Sequence, residues 1–204
     1  AFQIHLDAVE QRITPHTQAI IINSPNNPSG VVYTEETLRG LAVLLERKSA
    51  EYGHPIYIIA DEPYRELVYG DVTVPFIPCL YRNTIVCYSY SKSLSLPGER
   101  IGYVYVPGFA DDSAAVYAAV SGAARVMGHV CPPTLMQKVI QLCAGERPDL
   151  AAYDENRNLL YNSLREMGYE CAKPDGAFYL FVKAPNGDAN AFSEKAKLDY
   201  NLLV

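Results

Sequence analysis

The groups best suited to chemistry are concentrated between Ser89 and Gly102, in the run Ser-Tyr-Ser-Lys-Ser-Leu-Ser-Leu-Pro-Gly-Glu-Arg-Ile-Gly. Lys92 comes shortly after an apolar stretch, Thr84 to Tyr88, that reads as a buried strand. An amine at the end of a core strand is costly unless it has a charged partner or a reaction to perform. Ser89, Ser91 and Ser93 crowd it with hydroxyls, and Arg100 adds a guanidinium further on. A desolvated amine attacks carbonyl carbon, while hydroxyls and a guanidinium suit a phosphate dianion. The stretch therefore reads as an imine-forming site beside a phosphate seat.

The elements that must position this lysine follow from the hydrophobic pattern. Ala19 to Ile22 predicts a short strand ending in a turn cluster, residues 23 to 30. Thr34 predicts a helix cap, with Glu35 and Glu36 in the first turn and Leu38, Leu41, Leu44 and Leu45 at helical spacing to about Glu51. Ile56 to Ala60, Thr84 to Tyr88 and Ile101 to Val106 predict further strands. Near-continuous apolar strands separated by helical stretches imply an α/β fold: three layers, α/β/α, around a mostly parallel sheet covered on both faces. After Pro107 the pattern turns helical, with helices expected over Asp111 to Val126, over Pro133 to Cys143, and from Pro148 to a stop at Gly168. Tyr169 to Cys171 and Ala177 to Val182 read as strands of a smaller α+β unit, joined through Pro174, Asp175 and Gly176. A last helix, about Ala189 to Leu203, runs to the chain end with no stop signal. A soft boundary falls near 146 to 153.

Ligand sites in open parallel sheets lie beyond the carboxyl ends of the strands. Asn27 follows the first expected strand, Asp61 and Tyr64 the second, and Ser89 to Lys92 the third; Arg100 just precedes the fourth. Singly, each has an ordinary explanation: a turn asparagine, a helix-capping aspartate, a packing tyrosine, solvated cations. Together at one sheet edge they read as a site.

The chain resembles the fold-type I pyridoxal-phosphate enzymes, and within them the class I/II aminotransferases related to aspartate aminotransferase. The matching motifs are Asn-Ser-Pro-Asn-Asn-Pro-Ser-Gly (23 to 30), Ala-Asp-Glu-Pro-Tyr (60 to 64), Ser-Tyr-Ser-Lys (89 to 92), Pro-Gly-Glu-Arg-Ile-Gly (97 to 102) and Gly-Ala-Phe-Tyr (176 to 179). The resemblance implies pyridoxal 5′-phosphate as cofactor and transfer of an amino group between an amino acid and a 2-oxo acid. It implies that Lys92 forms the Schiff base and moves the substrate proton, that Asp61 pairs with the pyridinium nitrogen, and that Tyr64 and Asn27 bond the ring's phenolic oxygen. Ser89, Ser91 and Arg100 would hold the phosphate, and Asn27 and Phe178 would line the substrate side. Residues 1–148 would be part of the large cofactor-binding domain, and 149–204 an interdomain helix with part of a small C-terminal domain.

Family members are about twice this length, so the chain is expected to be a piece lacking an N-terminal part and the C-terminal end. The absent parts would supply a glycine-containing phosphate-binding helix start, an aromatic ring over the pyridine and an arginine for the substrate carboxylate. The resemblance also implies a homodimer in the full-length protein and a cytoplasmic location. Other readings stay open: a C–S lyase, a decarboxylase, a cyclopropane-forming synthase, an aminotransferase-like sensing domain of a transcription regulator, or a folded piece that is silent alone. Ser89 to Lys92 also satisfies S-x-x-K of serine–lysine hydrolases, but no K-T-G or S-D-N element accompanies it.

Composition narrows the field further. A net charge of −6 with no basic run argues against a nucleic-acid surface, and no apolar window is long enough to span a membrane. Five cysteines without a CxxC pair read as reduced thiols, and four scattered histidines give no metal-ligand spacing, so no metal is expected.

Overall fold

Four short strands, β1 (Ala19–Asn23), β2 (Tyr57–Asp61), β3 (Thr84–Ser89) and β4 (Gly102–Tyr105), form one sheet in the order β1-β2-β3-β4 in the computed structural model, which describes residues 2–204. The α/β class expected from the sequence is the one observed. β1 to β3 are mutually parallel, and β4 runs antiparallel to β3. The connections explain the difference. Helix α2 (Glu35–Tyr52) is long enough to carry the chain back between β1 and β2. Between β3 and β4 there is only the single-turn helix α3 (Tyr90–Ser93) and a loop, which reverse the chain without returning it to the far end. The carboxyl ends of β1 to β3 and the amino end of β4 consequently meet at one edge, with Asn23 opposite Asp61, Asp61 opposite Cys87, and Ser89 opposite Gly102.

The core lies on one face of the sheet. Ile22, Ile58, Ala60 and Val86, alternating along their strands, pack with Leu38, Leu41, Ala42, Leu44 and Leu45 of α2. Each fully buried side chain here, such as Leu45 or Ile58, is worth about 1.5–3 kcal/mol of transfer free energy. Thr34 caps α2 by accepting from the Thr37 N–H, and Gly53 ends it in the left-handed conformation. Helix α1 (Leu6–Glu10), which the sequence pattern did not announce, sets Leu6 against Gly40 so closely that a side chain on that residue would collide with it. The expected covering of both faces is met on one: Ile21, on the other, is 72% exposed, and every residue of β4 is exposed.

Helices α4 (Ser113–Val126), α5 (Thr134–Leu142) and α6 (Leu150–Glu166) form as the pattern predicts but contain no buried residue. The two strands expected at 169–171 and 177–182 reduce to a single bridge between Cys171 and Val182. Ala177 adopts φ +57, which breaks the extended run, and the backbone around it bonds elsewhere. Helix α7 (Ala189–Tyr200) does have a stop: Asn201 takes the left-handed conformation and its N–H bonds the Ala196 carbonyl. All five cysteines are free thiols, and no helix among the described residues is long and apolar enough to cross a membrane.

Candidate active site

Asp61 ends β2, and the neighbouring strand end supplies its partner. The Asn23 side-chain amide donates to Asp61 Oδ2 at 3.1 Å and to the Asp61 backbone carbonyl at 2.9 Å. Asn23 Oδ1 in turn accepts from the Asn27 backbone N–H at 2.6 Å. One asparagine thus ties the carboxylate to the turn bearing Asn27. Asp61 is half-buried, and burial pushes its carboxyl above the ordinary range, with the Asn23 bond opposing the shift.

β3 delivers Lys92 on α3. Ser89 caps that turn by accepting from the Ser91 N–H at 3.2 Å, and the two serine hydroxyls bond each other at 2.7 Å. Lys92 is half-buried, with Nζ 5.1 Å from the centre of the Phe178 ring and 6.0 Å from that of Tyr64. No ion pair among the described residues engages it. Its environment is aromatic rather than acidic.

Tyr64 is almost wholly buried, and its hydroxyl bonds that of Tyr179 at 2.7 Å. Burial, then the bond to Tyr179, holds the Tyr64 phenol well above its ordinary pKa; the Asn27 side chain acts in the opposite sense. Phe178 and Tyr179 reach the site because the backbone before them is docked. The Asp175 and Gly176 N–H groups both donate to the Gly30 carbonyl, at 2.8 and 2.9 Å, and the Ala177 N–H donates to that of Leu67 at 2.8 Å. Tyr69 closes the arrangement from its N–H to Asp175 O at 3.0 Å and from its hydroxyl to Ala177 O. Contact this close requires glycines: a Cβ on Gly176 would sit 2.7 Å from Leu67 O, and Gly30 holds φ +68 against Pro174. On the far side Arg157 of α6 lies 4.2 Å over the Tyr69 ring and donates to Pro174 O at 2.9 Å, beside a cleft of about 320 Å³ that Phe178 and Tyr179 also line.

Lys92, Tyr64 and Phe178 are therefore brought together, Asp61 and Asn27 are joined through Asn23, and Ser89 pairs with Ser91. Arg100 stands apart. It sits at the same edge, at φ +53, but is exposed and donates from Nη1 to the Pro97 carbonyl at 2.8 Å. Two site residues escaped the sequence reading. Asn23 was signalled only by its position at a strand end in register with Asp61; Tyr179 belonged to a recognised motif, but its partner lies far away in sequence.

The family model described as aminotransferase class I and II matches residues 1–204. An aspartate aminotransferase of Thermotoga maritima is 35% identical over 95% of the chain, and one of Geobacillus stearothermophilus 32% identical over 93%; the matches span 49% and 48% of those proteins. The crystal structure of an amino transferase from Eubacterium rectale superposes with a TM-score of 0.93 at 63% identity, over 96% of this chain and 49% of that one. The chain spans about half the length of the curated relatives it matches.

Proposed function

Since this chain belongs to the class I and II aminotransferases, we propose that the protein containing it transfers amino groups between amino acids and 2-oxo acids with pyridoxal 5′-phosphate. The convergence of Lys92, Tyr64 and the Asn23-held Asp61 at one sheet edge carries the proposal.

The donor set fits this cofactor group by group: an amine for its aldehyde, a carboxylate for its ring nitrogen, a phenol and an amide for its phenolic oxygen, and hydroxyls with a guanidinium for its phosphate. When bound, pyridoxal phosphate supplies an electron sink for the pair left on the substrate α-carbon. Lys92 would hold the cofactor's aldehyde group through Nζ and would carry the substrate α-proton on that same nitrogen. The Phe178 and Tyr64 rings, 5.1 and 6.0 Å from Nζ, flank that amine. Asp61 would keep a proton on the ring nitrogen, and its partial burial would strengthen that charge-assisted bond. Tyr64, held protonated by its surroundings, stays a donor at neutral pH, and Asn27 stands beside it. Ser89 and Ser91, whose hydroxyls pair with each other, would hold the phosphate, and the exposed Arg100 at the same edge would join them. Phe178 and Asn27 border the substrate.

Residues 1–148 are read as part of a cofactor-binding domain, and 149–204 as an interdomain helix with the start of a smaller one. The remaining half of the protein contributes the substrate-carboxylate arginine, and a second subunit completes a cytoplasmic homodimer. Apolar side chains left open on α4 and α5, Val126 at 90% and Leu142 at 84% exposure, support the presence of such covering protein. The test is a half-reaction. Full-length protein loaded with pyridoxal phosphate and mixed with an amino acid is expected to release the matching 2-oxo acid and retain the amino group. Release of carbon dioxide or sulfide instead would assign a decarboxylase or C–S lyase. Cofactor binding without turnover, coupled to DNA binding, would assign a sensing domain.

A further inference from the structure

The Tyr64–Tyr179 hydroxyl pair has so far entered only as a cause of the raised Tyr64 pKa, yet among the described residues it is the polar contact through which the 175–179 segment meets the cofactor-facing groups. Each tyrosine hydroxyl has one proton to give and lone pairs to accept. Either hydroxyl can be the donor in this pair, and the raised Tyr64 pKa corresponds to Tyr64 donating; once Tyr64 directs its proton to the cofactor's phenolic oxygen, the proton in the 2.7 Å contact is that of Tyr179, donated to Tyr64 Oη. A phenol that accepts a hydrogen bond becomes a stronger donor itself, because the chain of bonds is mutually polarised in a site of low dielectric. Two features fix the pair. The rings meet edge to face at 5.6 Å, and Tyr179 is two residues from Ala177, whose N–H is anchored on Leu67 O.

We propose that Tyr179 is a positioning residue of the amino-transfer site: delivered by the docked 175–179 segment, its hydroxyl donates to Tyr64 Oη and strengthens the bond from Tyr64 to the cofactor's phenolic oxygen. The inference rests on the reading of Tyr64 as that donor. It makes the protonation of the bound cofactor depend on whether the segment is docked. The other groups facing Tyr64 are Asp61 on β2, Asn27 of the β1 turn, Lys92 on α3, and the uncharged Phe178 ring. Of these, the Asn27 side chain already acts on Tyr64 in the sense of a donor, and it sets the baseline from which loss of the Tyr179 hydroxyl is read.

The test uses full-length protein loaded with pyridoxal phosphate and reads the pH midpoint at which the absorbance of the bound cofactor interconverts. A stronger bond to the phenolic oxygen favours its ionised form and lowers that midpoint. Tyr179→Phe keeps the ring and removes the donor, so the midpoint is expected to rise by roughly half a unit. Tyr64→Phe raises it further, and Tyr64→Phe/Tyr179→Phe matches Tyr64→Phe alone, because Tyr179 acts only through Tyr64. An unchanged midpoint in Tyr179→Phe, or a shift that adds to that of Tyr64→Phe, overturns the inference while leaving the proposed function intact. A wild-type protein with no titrating cofactor band overturns both.

Discussion

Replacing Gly176 by alanine should separate the 175–179 segment from the rest of the site while leaving the sheet core folded. The added Cβ would lie 2.7 Å from Leu67 O and 2.9 Å from the Pro25 side chain, whereas ordinary van der Waals contact begins at 3.4 Å. Leu67 O cannot yield freely, because it is the acceptor of the Ala177 N–H at 2.8 Å. Relief by backing the segment away requires about 0.7 Å, the difference between 3.4 and 2.7 Å, which would stretch that bond to about 3.5 Å, at the limit of a hydrogen bond. Overpacking of this kind costs ~1–3 kcal/mol and the weakened bond ~0.5–1.5 kcal/mol. A combined ~1.5–4.5 kcal/mol corresponds to roughly a 10- to 2,000-fold larger open population of the segment. Hydrogen exchange by mass spectrometry reads this directly: protection at the Ala177 amide should fall by that factor while the amides of α2 keep theirs. Unchanged protection at Ala177, or an equal loss in α2, would refute the account of how Phe178 and Tyr179 are delivered.

Asp61→Asn should retain the fold, since it removes a partly desolvated charge. It should lower amino transfer by roughly 10- to 150-fold, from the ~1.5–3 kcal/mol of a charge-assisted bond to the ring nitrogen; near-normal turnover counts against that role. Glu62 is 2% exposed and leaves Oε1 without a partner, and burial raises its pKa above 4.5 despite Arg65. An acid raised in the folded state binds more protons there than in the unfolded chain, so its contribution to stability is lost as pH climbs from about 4.5 through the folded pKa. Glu62→Gln should therefore be the more stable protein in denaturant melts at pH 7, with the advantage vanishing below about pH 4.5; a variant less stable at pH 7 refutes this. Gly122→Ala, at an interior position of α4 with nothing within 4 Å, should stabilise by about 0.5–1 kcal/mol in the same melts; destabilisation would reveal a contact the structure lacks.

What could be seen in the sequence was what lies at the end of an apolar run. Lys92 and Asp61 each follow several β-branched or aromatic residues, and a strand needs no tertiary information to place its own carboxyl end. The direction of β4 was also available, in the absence of any crossover helix between Ser89 and Gly102. Contacts between distant parts of the chain were hidden. Nothing local in Gly-Ala-Phe-Tyr states that its amides belong to Gly30 and Leu67, so residues that alternate like a strand became a docked turn with Ala177 at positive φ. Asn23 looked like one turn asparagine among three, and only the parallel register with β2 makes it the partner of Asp61. The helices α4 and α5 were legible from the pattern after Pro107, but not that they would bury no residue against the described part of the chain.

The claim that Lys92 is the amine that holds the cofactor has one direct measurement. Full-length protein loaded with pyridoxal phosphate is reduced with borohydride, digested, and mapped by mass spectrometry. The cofactor mass is predicted on the peptide bearing Lys92, in stoichiometric amount, and on no other lysine. A stoichiometric label on Lys173 or Lys183, or none on Lys92, would contradict the assignment and with it the site.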